Sequence, residues 1–366
     1  MQVVDADAHV EECEATWEHL DPAFRPRRPL QLTLPEGVAG YDDWNAVWLI
    51  DGEVDPKRAG RGWHTFGTPP VMNVARGKPA SIGAQTLTDV PARLADMDAT
   101  GIGVQVILPT LFLVALPDPP RLEKALCQSY NRFMSQACAQ GNGRLHYVAV
   151  APWRDPDATL DVVREAQELG AVAVMAPGLV GDRPLGDPMF EPVYAELERR
   201  DLPLVVHFAW GSPDLNNLFS DPTSSFCSAA LPVVMGFYDL MIKGVYERHP
   251  RLKTAFLEAG SEWLPFVMRR LDTRYAGGQL PALSRPPSDY LRAGNIYLAC
   301  EGEEDIRHVL QYIGEDQLVM ASDYPHIDDT SEADMAATLE AREDLSAAVR
   351  EKILGANPRR LYNLPA

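Results

Sequence analysis

"VVDADAHVEE", residues 3–12, decides how the rest of the chain is read. A short apolar run opens on Asp5, Asp7 and His9. An interior strand should not end in bare acids and an imidazole, because burying them without partners is costly. Asp7 and His9 are two residues apart and share one face of a strand, with alanines between them giving room. By the same period Asp5 shares that face one pleat deeper, where it orients a ligand or pairs with a cation. The stretch makes sense only if other strand ends deliver matching groups to the same place.

The chain supplies such ends. "VQVILPT", "LHYVAVAP", "AVAVMAP", "LPLVVHF", "LKTAFLEAG", "NIYLAC" and "QLVMASD" are short, non-alternating apolar runs. Strands covered on both faces read this way. Between them lie amphipathic stretches such as "DPDATLDVVREAQELG" and "EEDIRHVLQYIG", with helical spacing and capping residues. Eight strands alternating with helices predict an α/β fold of the (β/α)8 TIM-barrel type, distorted by insertions, as one domain over 1–366. An open doubly wound sheet is the alternative, but no GxGxxG follows the first strand. Residues 13–85 break the rhythm directly after strand one. They predict a lid over the barrel mouth, with Trp44, Trp48 and Trp63 needing something to pack against. Residues 208–225 and 276–292 are further insertions, and "VREKILGANPRRLYNL" predicts terminal helices that close the barrel.

In such a barrel, function sits at the carboxyl ends of the strands. His207 ends strand five, Glu258 strand six, Cys300 and Glu301 strand seven, and Asp323 strand eight, with His326 just beyond. Imidazoles and carboxylates in a ring are ligands for a divalent metal. Asp7, His9, His207 and Asp323 are therefore the candidate ligands, and Asp323, Glu258 and His326 the candidate catalytic groups. A bound metal makes hydroxide from water near neutral pH, and Asp323 can move its proton. The same metal can instead grip a substrate carboxylate while Asp323 protonates the carbon that loses carbon dioxide. Trp210 and Trp263 flank the site in sequence and either stack on a planar substrate or pack the lid. Glu301 and His64 complete the candidate substrate-binding residues. His19, His146, His249 and His308 lie off the strand ends and read as structural.

Composition narrows the partners. A net charge of -19 repels phosphates and anionic membranes. The expected partner is a small-molecule substrate, with neither nucleic acid nor membrane. Five cysteines without a CxxC pair fit neither a disulfide framework nor a cysteine zinc site. The acidic amino terminus does not resemble a signal peptide, so a cytoplasmic location is expected.

At these residues the sequence resembles the amidohydrolase superfamily. It is most similar to the amidohydrolase-related branch that includes aminocarboxymuconate semialdehyde decarboxylase and resorcylate decarboxylases. "DADAHVEE", "RLADMDATGIGVQVILPT", "VVHFAWG", "PRLKTAFLEAGSEWLP" and "MASDYPHIDDT" carry the resemblance, in order, over nearly the whole chain. It implies a distorted barrel with one metal at its mouth, held by Asp7, His9, His207 and Asp323. Zinc is the commonest metal of such enzymes and manganese serves some decarboxylases; the residues also leave iron open. The resemblance further implies a homodimer. One position departs from it. Many decarboxylases of the branch carry a histidine after strand six in a "GHxGE"-like motif. Here "LEAGSEW" places Glu258 at that position and Ser261 at the following acid. Glu258 reads as a proton shuttle, a metal-neighbouring acceptor, a substrate-amine partner, or a residue paired with a lid arginine. The leading expectation is a metal-dependent hydrolase of a small carboxylated or cyclic substrate. A nonoxidative decarboxylase is the alternative, and a noncatalytic binding protein on the same barrel is a third reading.

Overall fold

The computed structural model describes residues 2–35, 46–57, 80–114, 120–220, 222–327 and 330–365. Eight parallel strands run in sequence order around the molecule. They are β1 (Val3–Val10), β2 (Ile102–Pro109), β3 (Leu145–Ala149), β4 (Ala173–Pro177), β5 (Leu204–His207), β6 (Thr254–Leu257), β7 (Ile296–Ala299) and β8 (Leu318–Val319). Every one of the eight apolar runs named from sequence contains a strand. The main helices between them are α1 (Val90–Ala99), α2 (Pro120–Ala139), α3 (Pro156–Glu168), α4 (Glu191–Arg200), α5 (Leu231–Ile242), α6 (Trp263–Ala276) and α7 (Ile306–Ile313). This is the TIM-barrel architecture.

The strands are apolar on both faces because both faces are covered. Val104, Val106, Val148, Met175, Val205, Leu257 and Val319 fill the barrel interior. Ile107, Tyr147, Val174, Val206, Phe256 and Leu298 face the helices. Asp89, Asp155 and Asp305 each cap a helix, accepting from the backbone N–H of Ala92, Ala158 and His308. Acids just ahead of helices are thus accounted for locally. Those at the ends of β1, β6 and β8 are not.

The seam between β1 and β8 closes the barrel. The Ala6 N–H donates to Met320 O at 3.2 Å and the Asp323 N–H to Asp7 O at 3.0 Å. Asp5 reinforces this seam. Its carboxylate accepts from the Ser322 N–H at 2.9 Å and the Ser322 hydroxyl at 2.5 Å. It also accepts from Gln105 Nε2 at 3.0 Å, and Gln105 Oε1 in turn accepts from Arg93 of α1 at 2.7 Å. Asp5 therefore lies on the helix-facing side of the wall, which corrects the expectation that it shares a face with Asp7. The reason is a bulge: Asp5 pairs with Gln105 but Ala8 with Ile107, so three steps in β1 match two in β2. Val4 and Ala6 point inward before it, and Asp7 and His9 point inward after it.

The chain ends where it began. Helices α8 (Ala347–Glu351) and α9 (Asn357–Leu361) are joined by a π-helical turn. Behind them, Leu361, Tyr362 and Leu364 pack into the barrel interior from the amino-terminal end of the strands. The Tyr362 hydroxyl donates to Ala6 O at 2.8 Å. The described part of the 13–85 insertion forms a three-stranded antiparallel sheet (Leu30–Thr33, Ala46–Ile50, Glu53–Asp55). Trp17 and Trp48 from this insertion pack with Leu111, Val114 and Trp210, beside the carboxyl ends of β2 and β5. Trp44, Trp63 and His64 lie outside the described residues. The 276–292 insertion connects α6 to β7, at the opposite end of the barrel from the mouth. A helix-to-strand connection in this fold always returns to that end.

Candidate active site and metal centre

The carboxyl ends of β1, β5, β6 and β8 converge. Asp7, His9, His207 and Glu258 are all buried, and one ligand atom from each lies within 4.8 Å of the others. His9, Asp323 and His326 form an adjoining group by the same measure. His207 Nε2 is 2.9 Å from Asp7 Oδ2 and 3.3 Å from Glu258 Oε2. His9 Nε2 is 3.3 Å from both Asp7 Oδ1 and Asp323 Oδ1. The structure thus brings together all four sequence-predicted ligands. It also draws Glu258 closer into the set than Asp323.

Tautomers follow from the second nitrogen of each ring. His9 Nδ1 donates to Pro109 O at 2.8 Å, and His207 Nδ1 donates to Phe208 O at 2.8 Å. Both Nε2 atoms therefore turn inward. His9 Nε2 and Asp7 Oδ1 are buried without a hydrogen-bond partner. A lone pair facing a carboxylate in a buried site is stable when a cation lies between them. Two imidazoles oriented by backbone carbonyls, with adjoining carboxylates, are a donor set suited to a divalent metal. The residues fit the group.

The charges agree. Burial favours the neutral form of Asp7, but the charge and hydrogen bond of His207 outweigh it and hold the Asp7 carboxyl well below the usual range. Burial lowers the His207 pKa, yet Asp7 overrides this and raises it. A carboxylate that favours a proton on His207 equally favours a metal cation there. Burial, followed by the nearby His326, lowers the His9 pKa despite Asp7 and Asp323, which favours the neutral imidazole.

Asp323 and Glu258 share a backbone feature. Each follows its strand in the left-handed region, at φ +55° and +54° respectively. Such conformations are costly for non-glycine residues and collect at functional sites. Asp323 Oδ1 accepts from His326 Nδ1 at 2.8 Å, and Oδ2 accepts from the Ser331 hydroxyl at 2.9 Å. The far nitrogen of His326 is 2.9 Å from Thr110 Oγ1. This makes an Asp323–His326–Thr110 chain beside the metal set.

A cleft of about 300 Å³ opens over these groups, lined by Asp7, Glu258 and Asp323 with Glu301, Glu303 and Glu332. Glu301 thus lines the cleft. Of the two roles open to the tryptophans, Trp210 takes the lid-packing one, and Trp263 packs elsewhere. Trp210 is 4% exposed and packs with Trp17 and Trp48, its backbone N–H donating to Leu113 O. Trp263 lies against Phe237 and Phe256 on the helix side of β6, its Nε1 donating to Gly260 O at 2.8 Å. Neither lines the cleft. Both are consumed by packing, because large rings near a strand end are drawn to the nearest apolar layer. His249, read as structural, binds Glu191 at 2.8 Å far from the site.

Several residues were not anticipated. Glu304 accepts from the Ser261 N–H, the Ser261 hydroxyl and the Glu262 N–H, fixing the loop that follows Glu258. A carboxylate thus stands beside Ser261, supplied from the loop after β7. Glu12 accepts from the backbone N–H groups of Thr110 and Leu111, and burial pushes its carboxyl up to about 8. The acid-rich text at 301–305 is the only hint of Glu304, and it reads equally as a solvated turn.

The family model for amidohydrolases matches residues 4–364, and the chain belongs to that family. Among characterised proteins it is similar to 2-amino-3-carboxymuconate-6-semialdehyde decarboxylase of Dictyostelium discoideum, at 20% identity over 74% of this chain and 75% of the relative. It is also similar to gamma-resorcylate decarboxylase of Rhodococcus jostii (strain RHA1), at 26% identity over 66% of this chain and 79% of the relative. Among solved structures, an amidohydrolase from Mycobacterium avium subsp. paratuberculosis K-10 shares the fold, with 22% identity, a TM-score of 0.80 and 99% coverage of both chains. The chain is that of an enzyme of the hydrolase or decarboxylase type, with a site suited to a divalent metal. No described helix is long and apolar enough to cross a membrane.

Proposed function

We propose that this protein is a metal-dependent nonoxidative decarboxylase, a carboxy-lyase acting on a small aromatic or unsaturated carboxylic acid. The observation that carries this reading is the kinship with two decarboxylases, joined to a buried acid, Asp323, set beside the ligand group. Hydrolysis, the leading expectation from the residues, uses the same parts, but neither characterised relative is named for it. Asp7, His9 and His207, with Asp323 at the edge of the set, would hold the ion. When bound, the ion supplies positive charge that grips the substrate carboxylate and a neighbouring oxygen. Zinc and manganese both suit these donors.

Asp323 carries the proton. In its acid form it delivers that proton to the ring or vinyl carbon as the bond to the carboxylate breaks. Carbon dioxide leaves, the new C–H bond forms, and Asp323 is left as the carboxylate. His326 Nδ1–H on Oδ1 fixes its direction, and Thr110 fixes His326.

The deciding assay offers hydroxylated aromatic acids alongside lactones and amides to protein loaded with zinc or manganese. Carbon dioxide release from an acid supports the proposal. Hydrolysis of a lactone or amide with no carbon dioxide from any acid would overturn it.

A further inference from the structure

We infer that Glu258 is itself a ligand of the divalent metal and that it shifts the metal preference of this chain from zinc toward manganese. The inference rests on the metal site and holds for either reaction.

Donors to one ion lie about 2.0–2.6 Å from it, so no two of them are much further apart than twice that distance. One carboxylate oxygen of Glu258 meets this limit against Asp7, His9 and His207 together. Asp323 meets it only in the group with His9 and His326. The side chain is aimed rather than incidental. Backbone at φ +54° turns it off the end of β6 toward the barrel axis. The Thr330 hydroxyl donates to Oε1 at 3.1 Å, while Oε2 is 3.3 Å from His207 Nε2. The loop that follows is pinned through Ser261 and Glu262 to the buried Glu304. A residue fixed on both sides and brought to a ligand histidine contributes an oxygen donor. With Asp7 it makes the set rich in carboxylate, and carboxylates favour harder ions such as manganese where imidazoles favour zinc.

The test compares the full chain, stripped by a chelator, with its Glu258→Gln and Glu258→His variants. Manganese binding is followed by electron paramagnetic resonance and zinc binding by competition with a chromophoric chelator. Circular dichroism checks that each variant is folded. Loss of a mere neighbour of a ligand weakens every metal alike, by about 10- to 100-fold. A ligand behaves differently. Glu258→Gln is expected to weaken manganese at least about tenfold more than zinc, and Glu258→His to raise the zinc-to-manganese affinity ratio by about tenfold or more. If both variants leave that ratio within threefold of the parent, Glu258 is no ligand and the inference falls. If the parent binds neither ion, the metal site falls with it. That result differs from a parent that binds metal and fails only to release carbon dioxide, which leaves Glu258 standing and removes the decarboxylase reading.

Discussion

Asp5 and Asp7 stand two residues apart on one strand and meet opposite fates. Asp7 faces the barrel interior, where His207 and His9 hold it charged. Asp5 faces the helices, where burial raises its pKa to about 6 against the hydrogen bonds of Ser322 and Gln105. One carboxylate joins the candidate metal group and the other the wall. What separates them is a single extra residue in β1, not any difference in the side chains. The barrel wall thus has a reactive inner face and a structural outer face, and substitutions should sort by face.

The largest effect is expected on the inner face. Asp7→Asn or His207→Ala should abolish metal retention and turnover, well beyond the 10- to 100-fold or so lost with an outer partner. Elemental analysis and turnover assays check this, and circular dichroism checks that each metal-free variant keeps the fold. Full activity in either variant breaks the division. On the outer face, Asp5→Asn places an amide N–H against groups that already donate. It should cost about 1–3 kcal/mol of stability, read by urea unfolding, while the metal content stays that of the parent. Metal loss in this variant would show that the two faces are not separable.

Glu12 sharpens the comparison at the rim of β1. Its carboxyl titrates near 8 in the fold against 4.5 ordinarily. The folded chain therefore keeps a proton that the unfolded chain has lost. Stability from this group is full below about pH 4.5 and falls as the pH rises to about 8, at up to ~1.4 kcal/mol per pH unit. Unfolding midpoints measured across that window should fall in the parent more steeply than in Glu12→Gln. Trp263→Phe is the mildest change. It removes one bond to Gly260 O and part of a ring, so about 1 kcal/mol of stability is lost and KM is unmoved. A marked rise in KM would place Trp263 in the cleft after all.

Much of this division could be read before the structure. Strands buried on both faces leave unbroken apolar runs, so all eight were legible, and so were the polar groups terminating five of them. The bulge was not. An extra residue in β1 leaves no mark in the sequence, and the two-residue period then carried Asp5 to the wrong face. Between stacking on substrate and packing, the sequence leaves Trp210 and Trp263 undecided for a related reason: adjacency along the chain fixes where the backbone passes, not which layer takes the ring. Glu304, Thr330 and Ser331 reach the site from loops, where no periodicity announces a direction. The pairing of Glu258 with the ligand set depended on its left-handed backbone, which no composition rule foresees for a glutamate.

The seam between β1 and β8 sets the order in which the enzyme becomes an enzyme. Asp5 meets Ser322 across 317 residues of chain, and Asp7 and His9 meet Asp323 at the same join. Contacts that distant form late, because the loop between them must close first. A growing chain has made strands one to seven before the last strand exists. Its acidic pair and its histidine wait at the open edge through all of that time. The full candidate ligand group is thus assembled only once β8 has joined β1.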